Sequence, residues 1–205
     1  MKKNHIGLIR HAPTGWNTAK RIQGQHDVSL PQSSFEEIEK WIPQLKKYPW
    51  TRIVTSDLSR AYLTALKINK HLDIPIELDD RLREQDWGLW TGDSIKDIRK
   101  KDPEQITYQE STGWNFTPPL GESRNAVLTR TLSAIHEATK RWPGEDILFV
   151  THYGNIATIA NHLLDKKFLP EEGKLVDKRA LHRVKVDNSH PQGTKYSLIA
   201  LNEKL

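Results

Sequence analysis

No cysteine occurs anywhere in the 205 residues, which excludes disulfides and any zinc or iron–sulfur site that depends on thiolates. Nine histidines are present, yet none stands in a His-x-His or His-Glu-x-x-His spacing that would put two imidazoles on one metal. Long apolar runs are missing as well, so no segment approaches a membrane span. The charged start Met1-Lys2-Lys3-Asn4-His5 is followed by too few apolar residues before Arg10 to form a signal-peptide core. No stretch repeats at a fixed period, which argues against a solenoid. Together these absences predict a cytoplasmic protein with no membrane association.

The composition that is present suits a folded domain. Charged residues make up 28% and hydrophobic ones 36%, mean hydropathy is −0.68, and seven tryptophans signal a real core. The length predicts one domain over residues 1–205 that carries an insertion. A net charge of +5 favours anionic ligands, but lysine and arginine are spread along the chain. The densest cluster, Arg99-Lys100-Lys101, is too short to form a nucleic-acid groove.

Hydrophobic periodicity orders the chain. Gly7-Leu8-Ile9 reads as a buried strand that stops at Arg10-His11 before a Pro/Thr/Gly turn. A polar loop from Thr18 to Gln32 follows. Ser34 and Glu37 then form a predicted capping box for a helix carrying Phe35, Ile38, Trp41, Ile42 and Leu45, with Pro43 kinking or ending it. Arg52 to Thr55 reads as a second strand, with Ser56 or Asp57 capping a helix whose apolar face is Ala61, Ala65, Ile68 and Leu72. Ile74 to Leu78 contains Pro75, which places it at a sheet edge. From Trp90 to Gly121 periodicity is weak, so a lid or specificity insertion is expected at about 88–121. Ser123 caps the next predicted helix, and Ile147 to Val150 reads as the central strand. A helix through Ile156, Ile159 and Leu163, a charged loop from Asp165 to Arg179, and two further strands complete the chain. This alternation predicts an α/β fold with a mainly parallel sheet covered on both faces.

In such a sheet the strand ends share one edge, which would gather Arg10, His11, Arg60, Glu84 and His152 into one crevice. Two arginines, two histidines and helix N-termini in one place suit a phosphoryl group. A neutral imidazole is a competent nucleophile near its ordinary pKa of about 6.5. Arg10-His11, Ser56-x3-Arg60, Glu84 before Asp86-Trp87-Gly88, and Thr151-His152-Tyr153-Gly154 together resemble the histidine phosphatase superfamily. The similarity is to the phosphoglycerate mutase-like family, especially its phosphatase branch, and it extends over nearly the whole chain. Pro119-Leu120-Gly121-Glu122-Ser123 resembles the family's Pro-Gly-Gly-Glu-Ser segment, with Leu120 in place of one glycine.

The resemblance implies a three-layer α/β/α fold and a phosphomonoesterase that needs no metal or cofactor. It implies that His11 attacks phosphorus and carries a transient phosphohistidine, while Arg10, Arg60 and His152 hold the phosphoryl oxygens. Glu84 would protonate the leaving oxygen and then activate water, its own proton arriving with the substrate dianion. Asn17, Gln23, Gly24 and Tyr153 match substrate-side positions. The expected partner is a small phosphorylated metabolite, with neither nucleic acid nor membrane, and relatives often pair as homodimers. Two alternatives stand beside this: a mutase that returns the phosphoryl group to bound substrate, and a phosphoryl-binding protein without turnover.

Overall fold

In the computed structural model, which describes residues 3–205, the apolar runs become one six-stranded sheet. Its strands are β1 (Asn4–Arg10), β2 (Arg52–Thr55), β3 (Ile76–Leu78), β4 (Asp146–Thr151), β5 (Ala180–Asp187) and β6 (Lys195–Lys204). The order is β3-β2-β4-β1-β5-β6. The first four in that order run parallel, β5 adds antiparallel to β1, and β6 adds antiparallel to β5. β4 and β1 are central, as their continuous apolar character requires, and the strand that follows Pro75 lies at the edge.

Seven helices are described. They are α1 (Gly15–Thr18), α2 (Gln32–Leu45), α3 (Ser59–Leu72), α4 (Ile95–Lys101), α5 (Pro103–Ser111), α6 (Arg124–Arg141) and α7 (Tyr153–Leu163). On one face of the sheet Ile6, Leu8 and Phe149 pack with Ala134 and Ile135 of α6 and Ile156 of α7. On the other, Ile9, Ile53, Leu148 and Val150 pack with Ile38 and Trp41 of α2 and Ala61, Ala65 and Ile68 of α3. Alternate side chains of each strand feed opposite cores, giving the three-layer α/β/α arrangement.

Register sets the functional edge. Arg10 lies opposite Thr151 and Thr55 opposite Val150, so three parallel strands end at one level. The ladder runs one bond further on each side: His11 N–H donates to the Thr151 carbonyl at 2.9 Å and Ser56 N–H to the Val150 carbonyl at 3.1 Å. The chain therefore leaves the sheet with His11 already fixed.

Several local expectations differ from what is built. The Ser34–Glu37 capping box does not form. α2 starts at Gln32, which leaves Ser34 buried in its first turn, its hydroxyl donating to the Pro13 carbonyl. Neither Ser56 nor Asp57 is the N-cap of α3, which is Leu58. Asp57 pairs with Arg83 instead, and the α3 N-terminus is served from a distance by Asp27, which accepts from Ser59 N–H at 2.9 Å and from its hydroxyl at 2.6 Å. The insertion from Trp90 to Gly121 carries helices that its weak periodicity did not show: α4 and α5 fold over a small core of Trp90, Ile98, Ile106 and Phe116. The spacing within each helix is too short for its period to show in sequence. No helix among the described residues is long and apolar enough to cross a membrane.

Candidate active site

At the carboxyl edge of the sheet a cleft opens above His11 and divides into two lobes of about 870 and 600 Å³. Arg10, His11, Asn17 and Tyr153 line both lobes, whereas Gln23, Gly24, Arg60 and Glu84 line the smaller one. His152, the ninth residue expected there, lies behind this surface: it is 0% exposed, and its ring centroid stands 5.2 Å from that of His11.

The His11 tautomer follows from its surroundings. Nδ1 lies 2.6 Å from the Ala12 carbonyl oxygen, which can only accept. Nδ1 therefore carries the proton and the lone pair belongs to Nε2. Burial, followed by the charges of Arg10 and Arg60, holds this imidazole well below its ordinary pKa and therefore neutral. His152 is held down by burial and then by Arg60, His11 and Arg10. Both of its ring nitrogens are buried without a hydrogen-bond partner. A buried polar atom left unpaired costs free energy.

Each cation is set by a different element. Arg10 ends β1, and its Nε is buried and unpaired. Arg60 sits in the first turn of α3 and is fully buried. Its Nη1 donates to the His26 carbonyl at 2.8 Å and its Nη2 to the Gly24 carbonyl at 2.7 Å, while Nε has no partner. Gly24 can offer that carbonyl because its φ of +50° suits glycine, and a Cβ there would press on Thr91 and the Trp87 backbone. Burial lowers both guanidinium pKa values and Glu84 opposes the shift; an arginine stays charged regardless.

Glu84 is held by backbone amides. Its Oε1 accepts from Gln85 N–H at 2.9 Å and from Gly154 N–H, in the first turn of α7, at 3.0 Å. That helix N-terminus is the anion-favouring end. Tyr153, the first residue of α7, has its phenol pushed up chiefly by burial, so it remains a donor. Asn17 closes a reciprocal box with Thr14 that defines α1, and Gln23 Oε1 accepts from the Thr14 hydroxyl at 3.0 Å. Both amides are thereby fixed to Thr14 at the wall of the cleft they line.

Sequence reasoning missed two groups. The charged loop after Asp165 returns over the cleft and places Lys174 and Lys178 at both lobes. Lys178 is pushed down by burial and by the neighbouring Arg10 and Lys174. The charge of that loop was visible, but its direction was not. Arg130 of α6 was also missed, though it bonds the Glu84 carbonyl; nothing in a helical period marks it. Among the described residues no group of three or more histidine, aspartate and glutamate side chains is gathered as a metal would require.

A sequence model described as the histidine phosphatase superfamily (branch 1) matches residues 6–198. The glucosyl-3-phosphoglycerate phosphatase of Mycobacterium tuberculosis is 31% identical over 173 residues, covering 80% of this chain and 77% of that protein. The metal-independent phosphoserine phosphatase of Arabidopsis thaliana is 34% identical over 158 residues, covering 75% and 66%. The solved structure of a mycobacterial glucosyl-3-phosphoglycerate phosphatase superposes with a TM-score of 0.84 at 25% identity, covering 98% of this chain and 99% of that one.

Proposed function

We propose that this chain, which belongs to the histidine phosphatase superfamily (branch 1) and is a phosphoric monoester hydrolase, hydrolyses a small phosphorylated metabolite through a phosphohistidine on His11. The observation that carries the reading is the His11 tautomer: Nδ1–H is committed to the Ala12 carbonyl, so the Nε2 lone pair is left for phosphorus. In the first step Nε2 forms the bond to phosphorus as the ester P–O bond breaks, and Glu84 gives its proton to the leaving oxygen. In the second, water attacks the phosphohistidine, Glu84 takes a proton from it, and Nε2 departs with its electron pair. Arg10, Arg60, His152 and the α7 N-terminus stabilise the charge on the three equatorial oxygens. Such donors are each worth about 2–4 kcal/mol by analogy with single oxyanion donors. This donor set calls for no metal ion.

The cleft also supports a reading of the substrate. Lys20, Lys96, Lys174 and Lys178 line it, and none is in an ion pair among the described residues; Glu84 and Asp177 are the carboxylates that line it with them. The rest of the substrate therefore carries a second anionic group beside Lys174 and Lys178. Ile95 and Lys96, at the start of α4, let the insertion close one lobe.

The test is incubation with a panel of 32P-labelled phosphomonoesters, with and without EDTA. The wild-type protein is expected to release phosphate in either case and to hold acid-labile label that His11→Ala never acquires. Label on the His11→Ala protein, or hydrolysis lost to EDTA, overturns the mechanism; phosphoryl return to bound substrate identifies a mutase. Within the panel, Lys174→Gln/Lys178→Gln is expected to raise KM for esters bearing a carboxylate and to leave KM for glycerol phosphate nearly unchanged.

A further inference from the structure

The carboxyl of Glu84 hangs from residues 81–86, a segment outside the sheet and helices for most of its length, and one side chain of the helix whose core it shares holds it. Arg130 projects from α6 and uses all five of its N–H groups. Its Nη1 donates to the carbonyls of Arg81 at 2.6 Å and Arg83 at 2.5 Å. Nη2 donates to the Glu84 carbonyl at 3.1 Å and to Glu122 Oε2 at 2.9 Å, and Nε donates to Glu122 Oε1 at 2.7 Å. A planar guanidinium is the only side chain with donors enough for this pattern, and lysine cannot copy it.

Glu122 completes the grip. Besides its bidentate pair with Arg130, its N–H donates to the Asp86 carbonyl at 2.9 Å and its carbonyl accepts from Gln85 Nε2 at 2.7 Å. The two ionised side chains are each only 18% exposed. A buried pair of this kind is weak evidence for stability but fixes geometry. Gln85, whose amide holds Glu84 Oε1, is gripped from both ends as a result.

We infer that Arg130, locked by Glu122, is a positioning residue that sets where the Glu84 carboxyl stands over His11. This rests on the reading of Glu84 as the proton donor, and assigns a task to the Pro119–Ser123 segment that the catalytic step itself does not use. Displacement of a reacting group by about 1 Å costs on the order of 100-fold in rate. That loss falls on both steps in which Glu84 moves a proton, and kcat/KM reads the first of them, the departure of the leaving oxygen.

The experiment compares kcat/KM for an alkyl phosphate, whose leaving oxygen needs a proton, with that for p-nitrophenyl phosphate, whose leaving group does not. Arg130→Lys is expected to lose about 100-fold on the alkyl ester and several-fold at most on the aryl ester. Glu122→Gln, which keeps the size and weakens the grip, is expected to show the same selectivity with a smaller loss. In a Glu84→Gln background, Arg130→Lys should cost nothing further on the alkyl ester. Equal losses on both esters, or additive losses in the double variant, would reduce Arg130 to a structural role and overturn the inference while leaving Glu84 as the donor. Should Glu84→Gln itself fail to discriminate between the esters, the reading of Glu84 falls, and the inference with it.

Discussion

Gly154 lies in the first turn of α7 with helical backbone, and its N–H holds Glu84 Oε1 at 3.0 Å. A Cβ added at this position would collide with that same oxygen. The Gly154→Ala variant therefore separates stability from catalysis. On stability, alanine gains up to about 1 kcal/mol over glycine in a helix. Against this, Glu84 must swing out of its two amide bonds, each worth about 1.5–3 kcal/mol when the acceptor is charged. Water in the open cleft replaces most of that, because the carboxyl is the far end of a flexible side chain. The net change is expected to lie within about 1 kcal/mol of wild type, read as the midpoint of urea unfolding. On catalysis, losing a positioned general acid costs about 10²–10⁴-fold. The assay is kcat/KM on an alkyl phosphate, with far-UV circular dichroism to verify the fold. A Gly154→Ala protein that hydrolyses the alkyl ester at the wild-type rate would refute the proposed role of Glu84 as a proton donor held at the α7 N-terminus.

Two further predictions concern stability. Leu120 has a φ of +57° and is 83% exposed, a conformation that costs a non-glycine residue about 1–2 kcal/mol; after glycine's greater chain entropy is subtracted, Leu120→Gly is expected to stabilise the fold by about 0.5–1 kcal/mol in urea, and destabilisation would show that its side chain has a packing role. The second concerns acid. His11 and His152 are held well below the unfolded imidazole value, so as pH falls through 6.5 the unfolded chain takes up protons that the folded chain refuses. Stability is therefore full above about pH 6.5 and is lost on acidification below it, with a limiting slope of about 1.4 kcal/mol per pH unit for each imidazole. A His11→Asn/His152→Asn variant should lose correspondingly less between pH 7 and pH 5; an unchanged slope would mean that these rings titrate normally.

What the sequence by itself determined is everything local to a strand and its end. Short apolar runs bounded by turn residues read as buried strands, and a parallel sheet brings their carboxyl ends to one edge. Arg10, His11, Arg60, Glu84 and His152 meet there because each follows a strand or opens a helix after one. Ser123 caps α6 as read, because that cap is three residues from its target. Where the partner lies far along the chain, local reading failed: Asp27 serves α3 from 32 residues away, and Ser34 leaves its expected cap for Pro13. Only the tertiary structure decided that Lys174 and Lys178 return over the cleft, and that Arg130 reaches the carbonyls of residues 81, 83 and 84. Periodicity records which face of an element is apolar, but it carries no information on where an aperiodic loop folds back or which unpaired carbonyls a distant guanidinium will find.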